Sequence, residues 1–127
     1  MTKFLATQTG QKLAYSFTKG TGPTVVFLGG FKSDMEGSKA IFLEKWARKR
    51  NRSFLRFDYS GHGQSTGDFL NLGIGDWFND TKQIIELTKN NGLILIGSSM
   101  GGWISLLLSR ELGSGLKGLI TIAAAPD

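Results

Sequence analysis

Apolar residues occur along the chain in short runs separated by glycine-rich turns. Two strands are predicted from Phe4 to Thr7 and from Lys12 to Thr18, with Thr9-Gly10-Gln11 as the hairpin turn between them. Gly20-Thr21-Gly22-Pro23 marks a loop before the next run. Four continuous apolar runs are typical of strands that are covered on both faces of a sheet. These are Thr24 to Leu28, Ser53 to Phe57, Leu93 to Ile96 and Leu116 to Ala123.

Segments with helical spacing lie between these runs. One predicted helix extends from about Ser38 to Arg50, and another follows Asp76, its predicted N-cap. The third, from Gly101 to about Leu112, is apolar nearly all round and is expected to be buried. Strands alternating with single helices predict a mostly parallel sheet with right-handed crossovers and helices on both faces. We therefore predict a three-layer α/β fold, in one domain of residues 1–127. The stripe of the second helix is Trp77, Phe78, Thr81, Ile84, Ile85 and Thr88, closed by Asn90-Asn91-Gly92.

Composition and charge narrow the classes of function. The apolar fraction of 40% and charged fraction of 20% are typical of a soluble globular protein. Without cysteine, the chain has neither a disulfide framework nor thiol chemistry. The formal net charge is +5, but the basic stretch around Lys45 to Arg52 fits the solvated end of a helix, and no stacking platform or binding motif accompanies it. We expect neither nucleic-acid binding nor membrane insertion, and by default a cytoplasmic location.

A glycine-rich turn between a strand and a helix carries the candidate chemistry. Gly97-Ser98-Ser99-Met100-Gly101-Gly102 follows the run that ends at Ile96, the context of a G-x-S-x-G nucleophile elbow. A serine at such a turn is strained, and its neighbours two positions away must be small. Gly97 and Gly101 meet that demand around Ser99, which is therefore the candidate nucleophile.

An attacking serine requires donors for the oxyanion that develops on the substrate. The backbone amide of Met100, at the N-terminus of the elbow helix, is the first candidate. The amide of Phe31, in the loop that follows the run ending at Leu28, is the second. Gly29 and Gly30 would let that backbone approach the substrate, although they could equally make only a tight turn. A turn that cradles phosphate is the alternative for Ser99, but neither G-x-G-x-x-G nor a P-loop lysine is present.

The partners of a serine nucleophile are harder to place. His62 is the one histidine of the sequence, but it precedes Ser99, whereas the usual order in this kind of fold is nucleophile, acid and then histidine. We interpret His62 as a loop residue, and Asp58 as a brace that accepts backbone hydrogen bonds. Asp127 could act as a triad carboxylate only in a variant arrangement. One histidine and scattered carboxylates predict no metal site.

These motifs together resemble the α/β hydrolase superfamily, and more closely the palmitoyl-protein thioesterase branch and its bacterial relatives. The segments that carry the superfamily resemblance are Gly29-Gly30-Phe31, Asp58-x-x-Gly61-x-Gly63-x-Ser65 and Gly97-Ser98-Ser99-Met100-Gly101-Gly102. The segments that carry the closer one are Gly30-Phe31-Lys32-Ser33-Asp34-Met35-x-Gly37-x-Lys39-Ala40, Arg56-Phe57-Asp58-Tyr59-Ser60-Gly61, Trp77 with Asp80, and the elbow followed by Trp103.

The resemblance implies an eight-stranded, mostly parallel sheet, a Ser-Asp-His triad, no cofactor, and hydrolysis of acyl esters or thioesters of small molecules, lipids or acylated proteins. In that family the acid follows the seventh strand and the histidine the eighth, whereas this sequence reaches only a sixth predicted strand. We therefore expect the fold to be truncated after the sixth strand, with the triad incomplete and little turnover by residues 1–127 alone. The alternative is a non-catalytic binding or interaction domain. The resemblance also suggests mitochondria, but the first ten residues have no targeting pattern.

Overall fold

The structure, a computed structural model, describes residues 2–123. Within them, strands form one sheet in the order β1-β2-β4-β3-β5-β6. The sheet is mostly parallel, because only the pairs β1/β2 and β2/β4 are antiparallel. The three-layer α/β fold predicted from the sequence is confirmed. The strands are β1 (Lys3–Ala6), β2 (Lys12–Thr18), β3 (Thr21–Leu28), β4 (Arg52–Phe57), β5 (Leu93–Ser98) and β6 (Leu116–Ile122).

Within residues 2–123, three α-helices cover the two faces of the sheet: α1 (Ser38–Lys49), α2 (Ile74–Ile85) and α3 (Met100–Leu112). Alternate residues of β3 point to opposite faces, as the two-residue period of a strand requires. One face packs on α1 and the other on α2 and α3. The α1 cluster is Val25, Phe27, Ala40, Ala47, Phe54 and Ile96. The opposite cluster includes Val26, Leu28, Leu55, Trp77, Ile84, Leu95, Ile104 and Leu108.

The predicted loop before β3 is partly wrong. The strand begins at Thr21 rather than Thr24, because the amide of Thr21 donates to the carbonyl of Asn51 at 2.8 Å. Pro23 has no N–H to donate and lies in the stretch where the register between β3 and β4 shifts. The strand therefore starts early but is irregular up to Val25.

Details of two helices also differ from prediction. The N-cap of α2 is Gly73, not Asp76, and the Asp76 carboxylate instead accepts from the Gly73 amide at 2.8 Å. An acidic residue in the first turn can thus satisfy the cap backbone from inside the helix. Thr88 lies beyond the end of α2 at Ile85. On α3, which was expected to be buried, Leu106 is 42% exposed because that face of the helix has no covering element among residues 2–123.

A buried ion pair fastens α1 to the sheet. Arg56, on β4, donates from Nε to the Glu44 carboxylate of α1 at 2.9 Å, and both side chains are buried. Its Nη1 donates to the carbonyl of Met35 at 2.9 Å. Burial acts to lower the pKa of Arg56, but hydrogen bonds to Glu44 and Glu36 outweigh it and the pKa lies above its ordinary value. The pair therefore links a strand, a helix and the loop between β3 and α1.

We expect Arg56→Met to lower the free energy of unfolding by about 3–5 kcal/mol, because it leaves the Glu44 carboxylate buried without its main partner. Nη2 of Arg48 also lies 3.6 Å from the Glu44 carboxylate, but Arg48 is largely exposed, and an ion pair with an exposed partner contributes only about 1 kcal/mol or less. The double variant Arg56→Met with Glu44→Met should recover most of that loss, since an apolar pair of similar volume has no charge to desolvate. Urea denaturation of the single and double variants measures the coupling. Losses that simply add would contradict a direct pair.

The β6 side of the sheet is apolar and open within the described residues. No strand among residues 2–123 pairs with the outer side of β6. Ile120 on this strand is 53% exposed, and Ile122 is also exposed. Within residues 2–123, β6 is therefore an edge strand that carries exposed apolar side chains.

Candidate active site

The candidate nucleophile sits at a strained turn between β5 and α3. Ser99 has φ 55° and ψ −117°, a combination that costs a non-glycine residue roughly 1–3 kcal/mol. The turn is held by backbone hydrogen bonds on both sides. The Ser99 amide donates to the carbonyl of Ile122 at 2.8 Å, and the Ser99 carbonyl accepts from the amide of Gly102 at 2.9 Å. The sheet and α3 together impose the backbone conformation of Ser99.

The two glycines that flank Ser99 stand where the backbones of strand and helix cross. A Cβ on Gly97 would overlap the backbone of Gly101, and one on Gly101 would overlap the backbone of Leu28 and lie 2.7 Å from the carbonyl oxygen of Gly29. Backbone atoms cannot give way as the end of a side chain can. The requirement for small residues that the sequence suggested therefore arises because main chain lies directly against main chain at both positions.

The loop after β3 lies against Ser99. A Cβ built on Gly30 would be 3.5 Å from the Cβ of Ser99. The amide of Phe31 is therefore close to the elbow, as is that of Met100, the first residue of α3. Among residues 2–123, neither amide donates to a backbone or side-chain acceptor. Two unpaired donors beside a strained serine could stabilise an oxyanion.

The loop after β4 supports the loop after β3 at several points. The hydroxyl of Tyr59 donates to the carbonyl of Gly29 at 2.8 Å. The amide of Lys32 donates to Nε2 of His62 at 3.1 Å. The Asp58 carboxylate accepts from the amides of Met35 at 2.7 Å and Gln64 at 2.9 Å, which confirms the bracing role predicted for Asp58.

Both ring nitrogens of His62 are occupied by backbone groups. Nε2 accepts from Lys32, and Nδ1 lies 3.0 Å from the carbonyl of Ser60. Because an amide can only donate and a carbonyl can only accept, the proton belongs on Nδ1. Neither nitrogen is then free to take a proton from Ser99. This arrangement agrees with the prediction that His62 is a loop residue and not the general base.

Burial shifts the acid–base properties of this loop. It raises the pKa of the Asp58 carboxyl, against the opposing effect of the amide hydrogen bonds from Gln64 and Met35. It also raises the pKa of Asp80, whose carboxylate accepts from the amide and hydroxyl of Ser60 at 2.8 and 2.6 Å. Burial raises the pKa of Tyr59 as well. The phenol therefore stays protonated at neutral pH and keeps donating to Gly29.

An aromatic group forms the rim beside the Phe31 loop. The ring of Phe31, 54% exposed, lies 5.1 Å from that of Phe69 and 5.7 Å from that of Trp77. Nζ of Lys32 stands over the rings of Phe31 and Phe69, at 5.8 and 5.4 Å from their centroids. Leu70 is largely exposed next to them. The rim thus presents apolar surface with one positive charge.

Several residues that build this region were not identified as functional from the sequence. Tyr59, Trp77 and Asp80 all lie within the segments that carry the family resemblance. Their place in those segments was the one sequence signal that could have identified them. Their hydrogen bonds join loops that are far apart in sequence, so no local pattern reports them. Asp127 lies outside the described residues. Among residues 2–123, no group of three or more histidine, cysteine, aspartate or glutamate residues is arranged to hold a metal ion.

Comparison with protein families finds a match over most of the chain. Residues 21–127 match the model of the family described as serine aminopeptidase, S33. The mitochondrial palmitoyl-protein thioesterase ABHD10 of Rattus norvegicus is 37% identical over 115 residues, which are 91% of this chain and 39% of that protein. The human ABHD10 is 36% identical over 115 residues. The chain thus spans about two fifths of the length of these curated relatives. Their names place them in mitochondria, while the cytoplasmic location expected here from sequence stays a prediction.

Solved structures share this architecture. The alpha/beta hydrolase domain-containing protein 10 from mouse superposes with a TM-score of 0.94 at 35% identity, over 98% of this chain and 50% of that one. Est1E from Butyrivibrio proteoclasticus superposes with a TM-score of 0.89 at 20% identity, and shows the fold alone. The resemblance stated from sequence is confirmed. In the part of the chain that the structure describes, no helix has the length and apolar character needed to cross a membrane.

Proposed function

This chain belongs to the α/β hydrolases, in the family described as serine aminopeptidase, S33, and on that premise we propose that it contributes the nucleophile and oxyanion hole of a serine hydrolase. The reaction proposed is cleavage of acyl esters or thioesters. The observation that carries the proposal is the strained backbone of Ser99, at φ 55°, beside the unpaired amides of Met100 and Phe31. Strain of this kind persists where surrounding structure imposes it, and it is common at active sites.

In the proposed reaction, Oγ of Ser99 attacks the carbonyl carbon of the acyl group, and a general base takes the hydroxyl proton. The carbonyl oxygen becomes an oxyanion that accepts from the amides of Met100 and Phe31. The positive end of the α3 dipole lies at the same place and favours the negative charge. Collapse of the intermediate expels an alcohol or thiol, which receives the proton, and water then releases the acid from Ser99. Base and acid are proposed to lie outside residues 2–123.

The surroundings of the elbow favour an apolar acyl group as substrate. The exposed carbon surface of Phe31 and Leu70, with the half-buried ring of Phe69 beside it, can cover an acyl chain, which gains about 25 cal/mol for each Å² of apolar surface removed from water. The names of the curated relatives, palmitoyl-protein thioesterases, support a thioester of a long acyl chain, carried by a protein or a small molecule. No cofactor is needed for such a hydrolysis.

A fluorophosphonate probe tests the proposal, because it reacts only with a serine that an active site makes nucleophilic. We expect the full-length gene product to be labelled, and peptide mass spectrometry to place the adduct on Ser99. Labelling should be slowed by an acyl thioester that competes for the site. A folded protein that shows cooperative unfolding but no labelling would contradict the proposal and favour a non-catalytic binding domain. Labelling at Ser98 would contradict the assignment of the nucleophile.

A further inference from the structure

His62 is a buried polar residue that the proposed reaction does not use. It is 3% exposed, and its ring packs edge-on against Trp77 at 5.0 Å and Phe69 at 5.2 Å between centroids. With Nδ1 donating to the carbonyl of Ser60 and Nε2 accepting from the amide of Lys32, both nitrogens are satisfied. A buried imidazole held on every side has one rotamer and one tautomer, so its acceptor nitrogen has a fixed position.

The support of this ring continues to the α2 helix. The carbonyl of Ser60 also accepts from Nε1 of Trp77 at 3.0 Å, and the amide of Ser60 donates to Asp80. Trp77 and Asp80 are both buried residues of α2, near the middle of a helix that packs on the sheet. The position of Nε2 is therefore set by the protein core and not by a mobile surface loop.

The acceptor of His62 and the hydroxyl of Tyr59 hold the first part of the loop after β3, at Lys32 and at Gly29. Tyr59 donates to the carbonyl of Gly29, and His62 accepts from the amide of Lys32. Only Gly30 and Phe31 lie between these anchors. Lys32 itself has φ 61°, a conformation that an L residue adopts only when something holds it there. Within this turn the carbonyl of Gly30 accepts from the amide of Ser33 at 3.1 Å, which fixes the peptide of Phe31 relative to its neighbours. The two anchors fix the position of the turn relative to the protein core.

We propose that His62 is a positioning residue that, through its Nε2 acceptor and the amide of Lys32, aims the amide of Phe31 at the oxyanion of Ser99. The inference rests on the proposed function, since an oxyanion must form there, and it assigns His62 a role other than proton transfer. It also assigns Tyr59 as the matching anchor at the other end of the loop. The peptide between Gly30 and Phe31 keeps its turn bond to Ser33 when an anchor is lost, but the turn as a whole can then shift relative to Ser99.

Two substitutions of His62 separate the acceptor from the bulk of the ring. Glutamine can place a carboxamide oxygen near the position of Nε2 and still accept from Lys32, whereas phenylalanine fills the space with no acceptor. We expect His62→Phe to lower kcat about 10- to 100-fold, less than the ~10²–10³ for deleting an oxyanion donor, because the Phe31 amide is displaced and not removed. KM should change much less, because the bond to the oxyanion forms only in the transition state. His62→Gln should recover most of kcat.

Hydrogen exchange of the loop provides a readout that does not depend on catalysis. In the full-length protein, His62→Phe should speed deuterium uptake in residues 29–34 relative to His62→Gln, while uptake in β3 and β5 stays equal in the two variants. Faster exchange of the whole sheet would show general destabilisation and would count against a local role. Equal exchange and equal kcat in the two variants would overturn the inference. If the wild-type protein is not labelled by fluorophosphonate, the proposed function fails, but exchange still reports whether His62 holds the loop.

Discussion

Replacing Ser99 with alanine is expected to abolish fluorophosphonate labelling and to lower kcat for acyl thioester hydrolysis by about 10⁴- to 10⁶-fold, the loss seen when a catalytic serine is removed. The physical reason is that no covalent intermediate can form without Oγ. Binding of substrate should survive, because Phe31, Phe69 and Leu70 are untouched. Steady-state kinetics and labelling of the full-length protein measure both effects.

Ser98→Ala is the matched control for this substitution. Ser98 ends β5, next to Ser99, and has the same side chain but ordinary strand pairing with Ile122. The variant should keep labelling and most of kcat, with the unfolding midpoint close to that of the wild type. Loss of activity in Ser98→Ala with retention in Ser99→Ala would reverse the assignment. Retention of activity in both variants would show that neither serine of the elbow is the nucleophile.

Replacing Gly101 with alanine should be among the most damaging glycine-to-alanine substitutions in this protein, because an added Cβ there would come closer to backbone atoms than at any other glycine. Its Cβ would overlap the carbonyl of Leu28 and come within 2.7 Å of the carbonyl oxygen of Gly29, so α3 must move away from β3. We expect a loss of stability at or above the upper end of the roughly 1–3 kcal/mol typical of overpacking, because backbone on both sides resists the movement. Urea denaturation measures the loss. Labelling of Ser99 should fall with it, because the shift of α3 displaces the Met100 amide.

Gly75→Ala controls for the general effect of replacing glycine in a helix. Gly75 lies in the first turn of α2, and a Cβ there meets no atom within 4 Å. Both substitutions reduce the freedom of the unfolded chain equally, so the difference between them isolates the crowding at the elbow. Gly75→Ala should leave stability unchanged or raise it by up to about 1 kcal/mol. If Gly101→Ala were as stable as Gly75→Ala, α3 would not pack as closely against β3 as described for the elbow.

The elements of this fold and its central turn could be predicted from the sequence because their signals are local. Continuous apolar runs identified β3 to β6. The glycine in the turn Thr9-Gly10-Gln11 identified the hairpin before them, and in the structure Gly10 has φ 87°, as such a turn requires. The nucleophile elbow was recognisable because Gly97, Ser99 and Gly101 stand within five positions. The crowding at Gly97 comes from the nearby Gly101, whereas the crowding at Gly101 comes from Leu28 and Gly29, which only the fold brings there. Errors fell at the element ends: at Thr21, where a hydrogen bond to Asn51 of another segment sets the start of the strand, and at Gly73, whose amide is bound by the Asp76 carboxylate from within the first turn.

What the sequence by itself determined is therefore the alternation of strands and helices, the position of the strained serine and the family to which the chain belongs. Only the tertiary structure decided the strand order, the ion pair of Arg56 with Glu44 and the use of His62 as an acceptor. Each of these depends on one group meeting another from a distant segment: the Lys32 amide and His62 are 30 positions apart. The sequence lists the donors and acceptors, but the packing of the fold decides which donor meets which acceptor. A buried polar group needs a hydrogen-bond partner, and that partner can come from any segment that the fold places beside it.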